Sequence, residues 1–488
     1  MSMDTTACET IVPSRYVTFT FPNPLPRPLP HLLHTSLLHI AVLDSPSTVA
    51  AAAGKVEVAA MLVPPNRQHD WIFSAQTGHL QLLLTFPQLS RLILISNYYN
   101  DPVGLLPSAS KGQSVTDCEN QMDQIQVNLM PLLFALTPKS AFDQNRRFPE
   151  IPFLSYEDDV IRSQVLETFY GPCVGEMLVE NVELELVTGN DSVREFRRRL
   201  RYKRMPNLVQ TQVRIHPVVA LTAGIELDGL KFRVDSGILV QPYLSPMVAC
   251  LSLISSCLDK RIHMGFRPRA LCLGIGGGAL VEFLSSELQF EVVGVEEDEV
   301  VLIVANKYFG LNESEMIHLC IGDGIELIQK LAFEDSDADL RDRFKFRNSG
   351  GLDHLHGNFD VVMVDLDSSD AILCSSAPPL EFVKKSVLLA AKKVLFEHGV
   401  VILNVVPASK SFYDMVTSEF VEVFEDVYEI DVGNGDNMVL VASASASLIG
   451  AACADYDNSF LRKLNSSIQG SHMNSLRKIS GTSLLKSS

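Results

Sequence analysis

The clearest pattern along the chain is an alternation of apolar runs with amphipathic segments between residues 231 and 446. Short, mainly apolar runs predict buried strands at Ala270–Leu273, Glu291–Val295, Ile317–Ile321, Phe359–Val364 and Val400–Val405. Segments with apolar residues three or four positions apart predict helices at Pro242–Leu258, Val300–Tyr308, Ile325–Ala332, Pro378–Phe396 and Ser409–Phe420. Because buried strands alternate with helices, the pattern predicts a parallel sheet with helices on both faces.

The last part of this region predicts two consecutive strands, Phe424–Ile430 and Met438–Ala442. Between them lies Gly433-Asn-Gly-Asp, which is typical of a hairpin turn. A hairpin reverses the chain, so one terminal strand must run antiparallel to the others. We therefore predict an α/β fold: a doubly wound, mostly parallel seven-stranded sheet with a terminal antiparallel strand.

The rest of the chain has a different pattern. Residues 36–220 predict a smaller accessory α/β domain, with strand candidates at 37–43, 56–63, 91–96, 177–187, 194–202 and 209–215. Residues 1–35, which are rich in proline, are predicted to be a flexible leader. The Ser-rich residues 447–488 are predicted to be a disordered tail, and the polar residues 334–358 a flexible insertion.

One dense basic run, Arg197-Arg-Arg-Leu-Arg-Tyr-Lys-Arg204, lies in the accessory region. Charges that alternate along an exposed strand explain it most simply. A docking surface for an acidic peptide is the alternative.

Composition restricts the classes of partner. The 488 residues have a formal net charge of −18 and a pI of about 5.1, which argues against a nucleic-acid binder and suits a basic protein partner. The nine cysteines form no Cys-x-x-Cys pair, and His31, His34 and His39 lack further ligands nearby, so we predict no metal site. No apolar run is long enough for a membrane span, and no targeting signal is convincing, so we expect a cytoplasmic protein without a membrane partner.

Candidate chemistry begins directly after the first buried strand. Gly274-Ile-Gly-Gly-Gly278 connects that strand to a helix, and glycine lets the backbone approach a ligand closely. Glu296, at the end of the next strand about 20 residues later, is placed to accept hydrogen bonds from a ribose. The G-x-G-x-G spacing is tighter than the dinucleotide fingerprint and suits S-adenosylmethionine, which has no pyrophosphate. The predicted cofactor-binding glycines are Gly274, Gly276, Gly277 and Gly278.

The next two parallel strands also end in acidic residues. The third is followed by Asp323 and Gly324, and the fourth by Asp365, Asp367 and Asp370. A single aspartate here is common as a helix cap or turn former, but acids at three successive strand ends share one edge of the sheet. In a methyltransferase Asp323 would bind the adenine amino group. Asp365, Asp367 and Asp370 would face the sulfonium and an amine acceptor, and Asp365 or Asp367 would accept its proton.

Several motifs resemble a known family. The cofactor motifs are Leu273-Gly-Ile-Gly-Gly-Gly, Val295-Glu-Glu-Asp, Ile321-Gly-Asp-Gly and Phe359-Asp-Val-Val-Met-Val-Asp. Further similar segments are Asp70-Trp-Ile-Phe, Ile151-Pro-Phe-Leu-Ser, Phe196-Arg-Arg-Arg-Leu, Asp365-Leu-Asp-Ser-Ser-Asp, Ala377-Pro-Pro-Leu-Glu-Phe-Val and Val401-Ile-Leu-Asn. Together they resemble the spermidine-synthase-like branch of class I methyltransferases. The similarity is closer to the C-terminal half of the methyltransferase-like protein 13 family, the elongation factor 1-alpha lysine and N-terminal methyltransferases, over about residues 60–446.

This resemblance implies S-adenosyl-L-methionine as the cofactor and a protein amine as the acceptor, in that family the α-amino group of elongation factor 1-alpha. The family also has a separate N-terminal methyltransferase domain that modifies a lysine. Residues 1–60 are too short for such a domain, so the activity of that domain is not expected here. A lysine of elongation factor 1-alpha stays open as an alternative acceptor. The chain also departs from the family at 216–230, which lacks a Lys-rich linker, and at Glu297, which replaces an apolar residue.

Two alternatives stay open. An aminopropyltransferase would use the same fold, but Asp365-Leu-Asp-Ser-Ser-Asp has two residues more than the spermidine-synthase motif, and the Tyr and Gln of a polyamine pocket are not evident. A catalytically silent scaffold that binds a basic protein is the other. The intact glycine loop, Glu296 and Asp323 favour an active enzyme.

Overall fold

The computed structural model describes most of the chain: residues 8–25, 33–46, 56–64, 67–98, 115–142, 148–156, 158–188, 191–218, 227–333, 340, 343–346, 353–368, 377–435, 437–445, 458–468 and 472–479. The chain divides into two compact units. Unit 1 comprises residues 1–158 with 205–207, and unit 2 comprises residues 159–204 with 208–488. No helix among the described residues is both long enough and apolar enough to cross a membrane.

Unit 1 is built on a five-stranded mixed sheet in the order β1-β2-β4-β3-β5. The strands are β1 (Tyr16–Pro22), β2 (Leu37–Asp44), β3 (Val58–Leu62), β4 (Arg91–Asn97) and β5 (Phe153–Leu154). The helices are α1 (Trp71–Ser74), α2 (Gln76–Leu84) and α3 (Val115–Ala135). The three strands predicted between residues 37 and 96 are confirmed, and apolar clusters cover both faces of the sheet.

The prediction of a flexible leader over residues 1–35 is wrong for the residues that the structure describes. Strand β1 pairs antiparallel with β2 along its whole length. Cys8 and Leu33 are each only 2% exposed. The alternating pattern of β1 is short and directly precedes the proline-rich run. The strand was therefore not recognised from the sequence.

A buried ion pair connects the N-terminal residues to this sheet. The Arg91 and Asp44 side chains are fully buried, with Arg91 Nε 2.7 Å from Asp44 Oδ1. The same guanidinium donates to the carbonyl oxygens of Cys8, Leu136 and Thr10 at 2.7, 2.5 and 2.9 Å. A buried charge is tolerated when its hydrogen bonds are satisfied in this way. Arg91 therefore joins the N-terminal segment, the end of α3 and the sheet.

Substitution of Arg91 by methionine is expected to destabilise unit 1 by about 3–5 kcal/mol, because the buried charge of Asp44 would keep Arg15 and the Val12 N–H as partners but lose the guanidinium that is buried with it. Urea denaturation would measure the loss. Lys139→Met is the control: its pair with Glu9 is solvent-exposed and worth about 0–1 kcal/mol. Equal destabilisation by the two substitutions would contradict a structural role for the buried pair.

Unit 2 begins with a five-stranded antiparallel sheet in the order β10-β9-β8-β7-β6. Its strands are β6 (Val160–Gly171), β7 (Gly175–Thr188), β8 (Asp191–Tyr202), β9 (Val209–Pro217) and β10 (Phe232–Asp235). Its apolar face shares one core with Val301, Val304 and Phe309, which belong to the helical segment at residues 299–309. The predicted accessory domain of 36–220 is therefore too long, and its boundary moves to residue 158. Strand patterns identify strands but not the core to which they belong.

Three arginines of the basic run, which begins on β8 and continues past its end, form ion pairs within unit 2. Arg197 pairs with Glu195 at 2.6 Å, Arg201 with Glu180 at 2.9 Å, and Arg204 with Asp367 at 2.9 Å. These arginine side chains are between 6% and 20% exposed, so the exposed-strand explanation is wrong for them. The internal pairing also argues against the alternative of a docking surface for an acidic peptide.

The larger sheet of unit 2 has nine strands in the order β14-β13-β12-β11-β15-β16-β18-β17-β19. Its strands are β11 (Arg269–Leu273), β12 (Glu291–Glu296), β13 (Ile317–Ile321), β14 (Lys345–Phe346), β15 (Phe359–Val364), β16 (Leu395–Val405), β17 (Asp426–Asp431), β18 (Met438–Ser443) and β19 (Arg477–Lys478). The pairs among β11, β12, β13, β15 and β16 are parallel, and β18 is antiparallel to both its neighbours. The seven-stranded prediction is confirmed, with a two-residue strand added at each edge.

Helices cover both faces of this sheet. They are α4 (Leu244–Ala249), α5 (Ser255–His263), α6 (Ala279–Ser286), α7 (Glu299–Val304), α8 (Gly324–Phe333), α9 (Lys385–Lys393), α10 (Lys410–Val423) and α11 (Ser459–Ser467). Strand β11 shows why the strands read as continuous apolar runs: Ala270 and Cys272 face one core, whereas Leu271 and Leu273 face the other.

Three predictions within unit 2 need correction. The helix predicted at 378–396 begins only at Lys385, because Ala377 first forms a backbone bridge with Val406. The predicted disordered tail contains α11, whose Phe460 and Leu464 are buried in the core. The predicted flexible insertion contributes β14, which pairs with β13, and the buried Phe344. In α11 and β14 the apolar residues are few and lie within polar segments. The hydrophobic pattern was therefore too weak to predict either element.

Candidate active site

The carboxyl end of β11 organises the candidate site. In the sheet this strand lies between β12 and β15, so the helices that follow β11 and β15 diverge at this point. Such a switch point leaves a crevice for a ligand. The glycine loop after β11, Glu296 at the end of β12 and Asp365 after β15 all lie at this edge. The structure thus brings together the glycine loop, Glu296 and Asp365, which the sequence motifs singled out.

The glycine loop needs its glycines for conformation and for space. Gly274, Gly276 and Gly278 have φ of 79°, 53° and 85°, a region that other residues rarely adopt. A Cβ on Gly274 would overlap the carbonyl oxygen of Asp365, and one on Gly276 would lie 2.6 Å from Thr211 Oγ1. The loop therefore packs closely against the end of β15 on one side and against β9 on the other.

Every backbone N–H from residue 274 to 278 already has a partner in the protein. Gly274 donates to Val295 O, and Gly278 to Ile275 O. Ile275 and Gly276 donate to Glu296 Oε2 at 3.1 and 3.3 Å, and Gly277 donates to Thr211 Oγ1 at 2.8 Å. A phosphate-binding loop must keep such donors for its ligand. The arrangement therefore fits a nucleoside ligand without phosphates better than a dinucleotide.

Glu296 connects the glycine loop to the second strand. Besides the two loop amides on Oε2, its Oε1 accepts from the Asp298 N–H at 3.3 Å and can accept further hydrogen bonds. Burial raises the pKa of Glu296 to about 7, although the backbone N–H donors oppose the shift. Both forms of this carboxyl are therefore present near neutral pH. A ligand that donates hydroxyl protons would favour the ionised form.

Asp365 is held in place by two side chains from elsewhere in unit 2. Tyr243 donates its hydroxyl to Oδ2 at 2.8 Å, and Asn404 donates to Oδ1 at 2.9 Å. Gln241 in turn donates to the Tyr243 hydroxyl at 3.0 Å. Burial raises the pKa of Asp365 to about 6, and the nearby negative charge of Asp367 adds to the shift. Asp365 is therefore an oriented carboxylate that can gain a proton close to physiological pH.

Asp367 differs from Asp365 because a cation already faces it. Arg204 Nη2 lies 2.9 Å from Asp367 Oδ2. Burial raises the pKa of Asp367, and the Arg204 charge opposes that shift. The third predicted catalytic acid, Asp370, lies outside the described residues. Of the predicted catalytic acids, Asp365 is thus better placed than Asp367 to act as a base.

Asp323 serves first as a helix cap. Its Oδ1 accepts from the Ile325 N–H at 2.8 Å, at the start of α8. The side chain is exposed at the carboxyl end of β13, and its charge contributes to the raised pKa of Glu297, after the larger effect of burial. Gly324 is buried against Leu273. The adenine-binding role of Asp323 stays a prediction.

Sequence reasoning missed the residues that support the site from a distance. Thr211 precedes Gly277 by 66 residues, Tyr243 precedes Asp365 by 122, and Asn404 follows Asp365 by 39. The Tyr and Gln of a polyamine pocket were not evident in the sequence, and the structure places Tyr243 against Asp365 and Gln241 against Tyr243. Asn404 at the end of β16 was a detectable signal, because it is a polar residue at the functional edge of a buried strand.

The order β13-β12-β11-β15-β16-β18-β17, with β18 antiparallel, defines a class I methyltransferase fold with its candidate site at the switch point. Three curated relatives carry the name "eEF1A lysine and N-terminal methyltransferase" or its homolog. The Drosophila pseudoobscura pseudoobscura protein is 27% identical over 397 residues, that is 81% of this chain and 49% of the relative. The Homo sapiens protein is 26% identical over 404 residues (79% and 50%), and the Danio rerio protein 27% over 401 residues (80% and 51%).

These comparisons confirm the resemblance indicated by the motifs. The chain spans about half the length of the curated relatives it matches. No protein-family model matches it. Among solved structures, human methyltransferase-like protein 13 in complex with SAH is 24% identical, with a TM-score of 0.37, covering 50% of this chain and 98% of that one. A probable spermidine synthase from Corynebacterium glutamicum is 12% identical, with a TM-score of 0.40, covering 66% and 93%.

Proposed function

We propose that this protein is an S-adenosylmethionine-dependent methyltransferase that modifies a protein amine, the N-terminal α-amino group of elongation factor 1-alpha. The observation that carries the cofactor assignment is the glycine loop, whose five N–H groups are satisfied within the protein while Glu296 stands beside them as a ribose acceptor. The relatives' names support the acceptor. The cytoplasmic location stays a prediction.

Different residues of the site would bind different parts of the cofactor. The loop of Gly274, Gly276, Gly277 and Gly278 would lie against the nucleoside, Glu296 would accept from the ribose hydroxyls, and Asp323 would face the adenine. When bound, the cofactor supplies an electrophilic methyl group on a sulfonium. Asp365 lies across the loop from Glu296 and would face that positive charge.

The acidic edge also suits an amine acceptor. An α-amino group has an ordinary pKa of about 7.7–8.0, so much of it arrives as the ammonium. Only the neutral amine has the lone pair needed for attack, so a carboxylate must hold the ammonium and then accept a proton. Asp365, oriented by Tyr243 and Asn404, is suited to both steps. The net charge of −18 favours approach of a basic translation factor.

Transfer of tritium from labelled S-adenosylmethionine tests this proposal. Elongation factor 1-alpha with a free N-terminus is expected to become labelled, and a form with an acetylated N-terminus is not. Labelling of both forms would move the acceptor to a lysine. No labelling of either, by an enzyme that binds the cofactor, would contradict the proposed substrate.

An aminopropyltransferase is the second candidate, favoured by one specific observation. Gln241 donates to Tyr243, which in turn donates to Asp365, so a Gln and a Tyr lie near the carboxylates that follow β15. Those side chains would suit a diamine as well as a peptide N-terminus. Incubation with putrescine and decarboxylated S-adenosylmethionine, followed by product mass, separates the two functions.

A further inference from the structure

A second group of titratable side chains lies at the amino ends of the parallel strands, at the edge of the sheet opposite the candidate active site. Glu291 is the first residue of β12, and His318 is the second residue of β13. His354 comes from a short 3-10 helix, Asp353–Leu355, in the segment before β15. Three separate elements thus bring two imidazoles and one carboxylate together.

The three side chains are close enough to share one ligand. One ligand atom from each of the three lies within 4.8 Å of those from the other two. His354 Nδ1 is 3.1 Å from Glu291 Oε1, and the rings of His318 and His354 stack at 3.5 Å between centroids. Among the described residues, this is the one group of three or more metal-ligating side chains.

The buried ring of His318 gives an independent indication that this group binds a ligand. The residue is only 6% exposed, yet its Nε2 has no hydrogen-bond partner among the residues that the structure describes. A buried polar atom of this kind normally has a partner, because leaving it unsatisfied costs free energy.

We propose that Glu291, His318 and His354 bind a divalent transition-metal ion, Zn²⁺ in the first instance. Two imidazoles and a carboxylate are ligands that Zn²⁺ accepts, and a fourth position would be left for water. The same set is poorly suited to Ca²⁺ or Mg²⁺, which prefer oxygen ligands. Nothing in the spacing along the chain indicates this site, because its ligands come from three elements that only the fold brings together.

Binding requires a small adjustment of the half-buried His354. Ligand atoms around a tetrahedral Zn²⁺ lie about 3.3 Å apart, given bonds of about 2.0–2.1 Å. The stacked rings must therefore turn so that both nitrogens point at one ion. Arg269 opposes the cation, since its Nε is 3.7 Å from Glu291 Oε1. Its terminal nitrogens, however, donate to the carbonyl oxygens of His354, His356 and Asn358. These backbone contacts hold the two terminal nitrogens away from the Glu291 carboxylate.

The metal would attach residues 353–355 to β12 and β13. Leu355 is buried in the core below this segment, so the attachment extends an existing contact. A ligand that binds only the folded state raises its stability. Zn²⁺ is therefore expected to raise the unfolding temperature of the protein without being required for methyl transfer.

Titration with zinc chloride, followed by calorimetry and thermal unfolding, tests the site. The wild type is expected to bind one equivalent saturably. Glu291→Gln and His354→Asn are each expected to weaken binding by more than about 100-fold, since loss of even an outer partner costs about 10–100-fold. His216→Asn, which alters a histidine 2.9 Å from Asp235 outside this group, is the matched control and is expected to bind as the wild type does.

Cobalt substitution separates this site from the cysteines. A Co²⁺ complex of nitrogen and oxygen ligands is expected to show visible bands without thiolate charge-transfer absorption. Saturable binding that persists in both cluster variants, or a thiolate spectrum, would assign the metal to cysteines and overturn the proposal. Absence of saturable binding by the wild type would overturn it as well. Far-UV circular dichroism of each variant verifies that it is folded.

Discussion

Glu296→Ala is expected to weaken the binding of S-adenosylhomocysteine by roughly 100-fold. A hydrogen bond to a charged group contributes about 1.5–3 kcal/mol, and a tenfold change in affinity corresponds to about 1.4 kcal/mol. The substitution removes the proposed acceptor for the ribose hydroxyls and releases the N–H groups of Ile275 and Gly276 that now donate to Glu296. Isothermal titration calorimetry would measure the change.

The pH dependence of the same affinity tests the charge of Glu296 directly. Its pKa is raised to about 7 by burial, and only the ionised carboxylate accepts from both ribose hydroxyls. As the pH falls below about 7 the group takes up a proton, so wild-type affinity is expected to fall. Above that pH the affinity is expected to level off. The Glu296→Ala protein is expected to lose this dependence.

Glu297→Gln is the matched control for this prediction. Glu297 is the next residue in the chain but is exposed, whereas Glu296 is half-buried against the loop. A surface substitution changes free energies by about 0.5 kcal/mol at most, so the affinity should change by about twofold. If Glu297→Gln weakened binding as much as Glu296→Ala, a general acidic potential would explain the result better than a ribose contact.

Asp365→Asn is expected to lower kcat for methyl transfer by about 10²–10⁴, the usual contribution of a positioned general base. The asparagine has similar volume, so the affinity for S-adenosylhomocysteine is expected to change much less than kcat. Kinetics at saturating cofactor would measure the first effect and calorimetry the second. A variant that kept wild-type kcat would exclude Asp365 as the base.

The profile of rate against pH adds a second readout. Burial raises the pKa of Asp365 to about 6, so the wild type loses its base as the pH falls through about 6. The acceptor amine is also protonated there, and the logarithm of the rate should therefore fall with a slope near two in the wild type. In Asp365→Asn only the amine titrates, and the slope should be near one.

Asp367→Asn separates the two neighbouring carboxylates. Asp367 already pairs with Arg204 in a partly exposed position, where such a pair contributes about 0–1 kcal/mol. The substitution is therefore expected to lower kcat by about fivefold at most. A larger loss than that of Asp365→Asn would assign the proton transfer to Asp367.

The parallel sheet could be predicted because its strands are buried on both faces. Each therefore appears as a continuous apolar run, as in Val292–Val295 and Phe359–Val364, and the acidic residue after each run marks the functional edge. The glycine spacing and Glu296 are local in sequence, so their position at one edge of the sheet could also be predicted, and their role in binding a nucleoside stays a prediction.

The remainder could not be predicted because it depends on contacts distant in sequence. Thr211, Tyr243 and Asn404 look like ordinary residues of their own elements and acquire a role only when the fold places them beside the loop and Asp365. Likewise, the strands of 160–217 look like part of an independent domain, and only their shared core with Val301 and Val304 assigns them to unit 2. The helix at 459–467 is too short and too polar to identify without its contact with the core.

The most direct test of the account is calorimetric titration of the purified protein with S-adenosylmethionine and, separately, with its decarboxylated analogue. Micromolar binding of S-adenosylmethionine, at least as tight as that of the analogue and lost in Glu296→Ala, is the expected result. Preference for the decarboxylated form would contradict the methyltransferase proposal and favour polyamine synthesis. Failure to bind either compound would contradict the nucleoside site itself and leave a scaffold with a methyltransferase fold.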